Sequence, residues 1–253
     1  MLEEKIELSN EIIETALATY SRTALVASGG KDSTVMLDLV CKFARENGYS
    51  IPRVLLCDPI PMKENVDFCK LLIKHYKLKK YNWYEEFSRK YMGKVEVGKD
   101  KVKCCYWLKI RPLQDFLKKY RIEALFVAIR RDEHPERAKE NYISKRDNPE
   151  HVRVHPILHF TWLDIWQYIK QFNLIFNPLY LKGFTSLGCK PCTSAVTSGF
   201  SSIDEIIEFV KRRKAKERAG RDIDKELVME LSLIHISEPT RPRLSSYAVF
   251  CLK

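Results

Sequence analysis

The sequence predicts an α/β domain organised on a parallel sheet. Three observations carry this expectation. Short apolar runs alternate with amphipathic stretches of helical period. The first of these runs leads straight into a glycine-containing loop and then a helix. Neither an internal repeat nor a low-complexity linker interrupts the pattern. A chain of 253 residues with 45% hydrophobic content can bury one large core.

Taken in order, residues 3–19 read as an amphipathic helix, and Ala24, Leu25, Val26 and Ala27 as a buried strand. After the loop Ser28-Gly29-Gly30-Lys31-Asp32-Ser33, a helix places Val35, Met36, Leu39 and Val40 on one apolar face. Further strands are expected at 53–57, 124–129 and 152–155. Helices are expected near 63–75 and 108–119, and from about Thr161. A loop punctuated by Gly and Pro occupies 177–192, and a basic helix follows at 203–216. Trp162 and Trp166, spaced i, i+4, belong to a core face.

The glycine loop suits an oxyanion. Small residues let backbone N–H groups converge, and the helix start that follows adds partial positive charge. Lys31 and Ser33 supply side-chain donors. The spacing is neither that of a Walker A loop nor the dinucleotide G-x-G-x-x-G. Asp58 follows the second strand, at the sheet edge where ligands bind. After the third strand, Arg130-Arg131-Asp132-Glu133-His134-Pro135-Glu136-Arg137 offers guanidiniums suited to bidentate oxyanion recognition, or else a solvated helix start with internal ion pairs. A net charge of +11, from 44 Lys and Arg against 33 Asp and Glu, favours anionic partners. His134, His151, His155 and His159 lack metal-ligand spacing and read as surface or loop histidines.

Cysteine usage carries the second chemistry. Cys104-Cys105 and Cys189-x-x-Cys192 form two pairs far apart in the chain, and four thiolates are the usual complement of an iron–sulfur cluster. Structural zinc, a redox dithiol or inert buried thiols would use the same residues differently. Cys41, Cys57 and Cys69 read as core filler. No apolar run approaches the roughly 20 residues that span a bilayer, and the acidic start has no signal-peptide core, so a cytoplasmic protein without a membrane partner is expected.

The segments VASGGKDSTVML, AIRRDEHPERAKE, KCCYWLKIRPLQDFL and HFTWLDIWQYI with NPLYLKGFTSLGCKPCT resemble those of the phosphoadenosine and adenosine phosphosulfate reductase family, in the PP-loop group. The resemblance spans residues 24–230. It implies a Rossmann-like sheet with helices on both faces, binding an adenylyl nucleotide through Ser28, Gly29, Gly30, Lys31, Asp32, Ser33, Asp58, Arg130, Arg131 and Arg137. It also implies a 4Fe-4S cluster on Cys104, Cys105, Cys189 and Cys192, with zinc as the alternative cofactor; adjacency in CCYWLK makes Lys109 a candidate bridge between cluster and sulfate. In these reductases a cysteine near the C-terminus attacks the sulfur of adenylyl sulfate or phosphoadenylyl sulfate, releasing the nucleotide, and a thioredoxin-like donor then frees sulfite. This chain has Leu56-Cys57-Asp58-Pro59 where many relatives have His-Val-Asp-Thr, so the neighbouring hydroxyl is lost.

Two other readings accompany it. Residues 202–230 resemble the close of the sulfate adenylyltransferase small subunit, which makes adenylyl sulfate from ATP and sulfate with a GTPase subunit. A PP-loop protein that binds or thiolates RNA forms a different class, although the basic patches interleaved with aromatics that RNA readers use are not evident. In relatives the part matching Arg218 and Arg221 closes over the site. Self-association stays open.

Residues 231–253 break with this pattern, and LSLIHISEPTR is what a common transposase adapter gives when translated in frame. We therefore expect one domain over 1–230 and a sequencing artefact over 231–253. On that reading the genuine C-terminus and any nucleophilic cysteine in it are missing, and His235 and Cys251 carry no functional meaning.

Overall fold

The computed structural model describes residues 1–212 and 216–221. At its centre lies a six-stranded sheet of Thr23–Ala27 (β1), Arg53–Leu56 (β2), Tyr81–Trp83 (β3), Ala124–Phe126 (β4), Ile143–Asp147 (β5) and Glu150–Val154 (β6), in the order β3-β2-β1-β4-β6-β5. Every neighbouring pair is parallel except β5 and β6. The expected parallel sheet thus carries one antiparallel edge strand. Only two residues, Asn148 and Pro149, join β5 to β6, too few for the crossover a parallel pair needs. β3 and β5 gave no sequence signal because both are edge strands with little burial and so no apolar pattern.

The helices are Leu2–Thr19 (α1), Lys31–Glu46 (α2), Lys63–His75 (α3), Tyr84–Ser88 (α4), Lys101–Cys105 (α5), Arg111–Tyr120 (α6), Pro135–Ala138 (α7), Trp162–Gln171 (α8) and Ile203–Lys211 (α9). They cover both faces of the sheet. On one face α1, α2 and α8 enclose the larger core, to which β1 and β2 contribute Leu25, Ala27, Val54 and Leu56. On the other, Tyr84, Phe116 and Leu117 from α4 and α6 pack on Ala24, Leu55 and Leu125. This alternation of strand residues between two cores is what a sheet buried on both sides requires.

Three helical details bear on the site. α2 starts at Lys31, directly after the glycine loop, as the sequence predicts. The helix expected over 108–119 begins earlier, at Lys101, and passes through a π-helical turn, Tyr106–Ile110, before α6. Such a turn widens the helix locally and re-aims the side chains it carries. α9 ends at Lys211, short of the expected 216; residues 213–215 lie outside the described part of the chain. The artefact segment 231–253 and most of the adenylyltransferase-like stretch past Arg221 also lie outside it. No described helix is long and apolar enough to cross a membrane.

Asp38 of α2 joins the helical layer together. Its buried carboxylate accepts from Tyr76 Oη at 3.0 Å and Tyr168 Oη at 2.7 Å, and pairs with Lys42 Nζ at 2.7 Å. Burial and this carboxylate push both phenols up, so they remain donors. Asp38→Asn replaces one acceptor oxygen by a donor that cannot serve a phenol. Urea unfolding of the variant is expected to show a loss of about 2–3 kcal/mol, whereas a loss below about 0.5 kcal/mol would remove Asp38 from this role.

Candidate active site at the sheet switch point

β1 pairs with β2 on one side and β4 on the other, so the chain leaves in opposite directions from these strands. The crevice at such a switch point, outside the carboxyl ends of the strands, is where open α/β sheets bind ligands. The loop after β1 carries Ser28 to Lys31, and the segment after β4 carries Arg130.

The loop is shaped by its own polar groups. Ser33 Oγ accepts from Ser28 N at 3.1 Å and donates to Gly30 O at 2.9 Å. Gly29 has φ +74°, and a Cβ there would fall 2.1 Å from Asn65 Oδ1, so glycine is needed on both counts. Asn65 Nδ2 donates to Ser28 O and to Asp58 Oδ2, each at 3.1 Å. Asn177 Nδ2 donates to Asn65 Oδ1 at 2.8 Å and to Gly29 O at 3.3 Å. Tyr180 Oη accepts from Lys31 N at 2.8 Å, with its ring edge-on to Trp166 at 5.1 Å. Asp58 thus holds the loop through Asn65.

The charged centre is denser than the sequence suggested. Arg130 is fully buried and Lys31 is 1% exposed. Arg130 Nε donates to Asp32 Oδ1 at 2.7 Å, Nη1 to Asp132 Oδ1 at 2.6 Å, and Nη2 to Glu217 Oε1 at 2.6 Å and Oε2 at 2.5 Å. Lys31 Nζ bonds Asp32 Oδ2 at 2.8 Å and also Glu217. Burial alone would lower both cations, but the carboxylates outweigh it and raise them. Burial likewise raises Asp32, yet Lys31 and Arg130 bring it down to about 2. Glu217 moves the other way: burial raises it, and the same two cations offset that only in part. Arg131 turns to Tyr142, stacking 4.9 Å from the ring centroid, and to Glu140 O at 3.4 Å. Arg137 pairs with Glu133, which also accepts from Arg130 N at 3.1 Å. Of the three predicted arginines, Arg130 is the one bonded to the loop residues.

Beside this centre the four cysteines of the two pairs line one pocket, together with Lys109 and Arg221. Cys104 and Cys105 end α5, while Cys189 and Cys192 flank the turn Lys190–Cys192, whose Lys190 N donates to Ile60 O at 2.9 Å. No disulfide joins these thiols among the described residues. Among the described residues the acidic group Asp32, Glu133 and Glu217 has donor atoms all within 4.8 Å of one another, and the thiols form no knot that tight. The π-helical turn carries Lys109. Burial would depress its ammonium, but Cys189, Cys105, Cys57 and Asp58 raise it overall, while burial raises the Cys192 thiol against the pull of Lys109. Cys41 and Cys69 are buried, each pushed up to about 12, as core filler should be. Cys57, just after β2, is half-buried and packs against the second core, near enough to Lys109 for its thiol to help raise that ammonium.

The segment 216–221 spans both halves. Glu217 reaches Lys31 and Arg130; Arg221 lines the thiol pocket, where a Cβ on Gly188 would come within 2.0 Å of its Nη1. Gly220 O accepts from Ser194 N at 2.9 Å, and Thr193 forms a β-bridge with Arg221. Sequence reasoning missed Asn65, Asn177, Tyr180 and Glu217. Asn177 and Tyr180 stood within the quoted NPLY run and Glu217 beside Arg218, but nothing in one sequence marks which polar residues are buried.

The phosphoadenosine phosphosulfate reductase domain family matches residues 22–195. The adenosine 5'-phosphosulfate reductase of Oceanobacillus iheyensis is 30% identical over 200 residues, covering 77% of this chain and 81% of the relative. The phosphoadenylyl-sulfate reductase of Candida auris, solved as a phosphate complex, superposes with a TM-score of 0.60 at 16% identity, over 74% of this chain and 90% of that one. The FMN adenylyltransferase of Candida glabrata gives 0.63 at 22% identity, over 92% and 82%. The last two speak for the fold.

The histidines are held by backbone. His155 Nδ1 lies 3.1 Å from Val127 O, His151 Nδ1 2.7 Å from Pro149 O and His159 Nε2 2.8 Å from Lys5 O. Burial pushes His155 down to about 4, despite the opposing Val127 carbonyl and Glu140. Between that value and its unfolded value of about 6.5, the unfolded chain binds a proton that the folded chain refuses. Stability is therefore expected to fall as pH drops through this window, on the order of 3 kcal/mol from His155. His155→Gln should flatten the pH dependence of the urea midpoint, leaving the weaker slope of His151 and His159, both also lowered by burial. An unchanged slope would contradict this.

Proposed function

This chain belongs to the phosphoadenosine phosphosulfate reductase domain family, and from that membership we propose that it reduces adenylyl sulfate, or its 3'-phosphorylated form, to sulfite and an adenosine nucleotide in sulfate assimilation. The observation that carries the proposal is the pocket lined by four thiols beside the cationic switch-point loop. One half suits the oxyanions of the nucleotide and the other suits redox chemistry.

In this reading Ser28 to Ser33 and Lys31 hold the phosphosulfate, with Arg130 as the guanidinium of the slot. Asp58, Asn65 and Asn177 fix the loop carbonyls and so the shape of the loop, while Ser28 N and Lys31 N are taken by Ser33 and Tyr180. Arg131 and Arg137 support the segment from outside it, through Tyr142 and Glu133. The chemistry is thiolate attack on the sulfate sulfur: the S–O bond to the nucleotide breaks, adenosine monophosphate leaves with the electron pair, and an S-sulfonate forms. A thioredoxin-like dithiol then supplies two electrons, ending as a disulfide and releasing sulfite. No residue of this chain is assigned as the attacking cysteine: the one cysteine in the sequence after Arg221 is Cys251, within the segment read as a sequencing artefact.

Cys104, Cys105, Cys189 and Cys192 fit a 4Fe-4S cluster by donor type and number. Zinc would use the same four thiolates. When bound, the cluster would supply charge and redox capacity beside the sulfate end. Lys109, half-buried and held charged near the thiols and Asp58, would orient a sulfate oxygen.

Anaerobically purified protein carrying its natural C-terminus is expected to bind about four iron per chain and to release sulfite from adenylyl sulfate with a dithiol donor. Cys192→Ser should lose most of that iron. Full iron with Cys192→Ser would refute the ligand assignment, and adenylyl sulfate formation from ATP and sulfate without sulfite release would replace reduction by adenylyl transfer.

A further inference from the structure

Lys31 and Arg130 are the cations to which the proposed reading assigns the substrate's oxyanion, yet two of the three Lys31 donors and four of the five Arg130 donors are already committed. Arg130 bonds Asp32, Asp132 and both oxygens of Glu217; Lys31 bonds Asp32 and Glu217. A carboxylate spanning a guanidinium and an ammonium presents two oxygens much as one edge of a phosphate or sulfate does. Glu217 therefore stands where the ligand's oxygens would stand.

The three acidic partners of this slot are not equivalent. Asp32 adjoins Lys31 on α2, and Asp132 lies two residues from Arg130, so each is fixed to the cation it serves. Glu217 arrives from the segment after α9 and is tethered through Gly220 to Ser194 and through Arg221 to Thr193. Charge points the same way. Among the described residues bonded in the slot, Lys31 and Arg130 balance Asp32 and Asp132 without Glu217; with it the slot carries one excess negative charge. A dianionic group added to that excess meets repulsion in a medium of low dielectric. The slot is electrically ready for an anion only when Glu217 is out of it.

We propose that Glu217 is a displaceable internal counter-ion, a positioning residue that occupies the Lys31–Arg130 slot in the free protein and must be exchanged for the substrate's oxyanion. It sets how tightly the slot takes an anion. The exchange moves the segment 216–221, whose other end packs at Gly188 beside the thiols, so nucleotide arrival is transmitted to the cysteine pocket. This rests on the slot being the oxyanion site of the proposed reaction.

The test compares full-length wild type with Glu217→Gln, using binding of adenosine monophosphate and of inorganic sulfate by calorimetry. The isosteric amide keeps the shape of the side chain and removes its charge. Binding of both probes is expected to tighten about tenfold, a change of about 1.4 kcal/mol, and Lys31→Met should abolish it in either background. A purely structural Glu217 predicts the opposite sign, so unchanged or weaker binding in Glu217→Gln overturns the proposal. If the amide fails to fold, Glu217→Asp serves, since its shorter carboxylate cannot bridge both cations; it too should bind more tightly, and equal or weaker binding counts against the exchange. Because the probes are not turned over, tightening without sulfite release would retain the exchange and discard the reductase reading. Sulfite release without tightening would do the reverse.

Discussion

The architecture of the site depends on keeping two cations charged out of water. Burying one guanidinium or ammonium costs several kcal/mol unless carboxylates compensate it at hydrogen-bonding distance. Lys31 and Arg130 meet that condition through Asp32, Asp132 and Glu217, drawn from three separate stretches of the chain. The compensation welds the start of α2 to the segment after β4, the two places where the sheet topology opens a crevice. It also explains why the arginine segment is rich in acid. Asp132 helps to keep Arg130 buried at the slot, and Glu133 holds Arg137 aside.

The same constraint links the two halves of the site. The segment that brings Glu217 to the slot carries Arg221 to the thiol pocket four residues later. Gly188 has to be glycine for that guanidinium to fit. At the pocket's other wall, the π-helical turn after Cys105 presents Lys109 to Cys189, Cys57 and Asp58. Asp58 in turn fixes the glycine loop through Asn65. Oxyanion loop and thiols are thus coupled along two routes, one through the 216–221 segment and one through Asp58.

Much of the fold was legible because buried strands and amphipathic helices leave periodic apolar patterns. β1, α2 and α3 fall where those patterns place them. The edge strands β3 and β5 were not legible, since a strand with one neighbour and a wet face carries no such pattern. The continuous helical run from Lys101 was read as starting late, because its first turns carry the cysteines and basic residues rather than an apolar stripe. Among site residues, the loop, Asp58, Arg130 and the cysteine pairs are brought together as expected. Arg131 is not at the loop, because its guanidinium finds Tyr142 and Glu140 nearer to hand.

Residue type and local spacing by themselves determined the sheet class, the anion loop at a helix start, and the presence of two thiol pairs. Each of these is a local property, written in neighbouring residues. Tertiary structure alone decided which cations are buried, which carboxylates neutralise them, and that Glu217 fills the slot a ligand would need. Those are questions of desolvation and charge balance among groups tens of residues apart, and they have no value until the chain has brought the groups into one low-dielectric place.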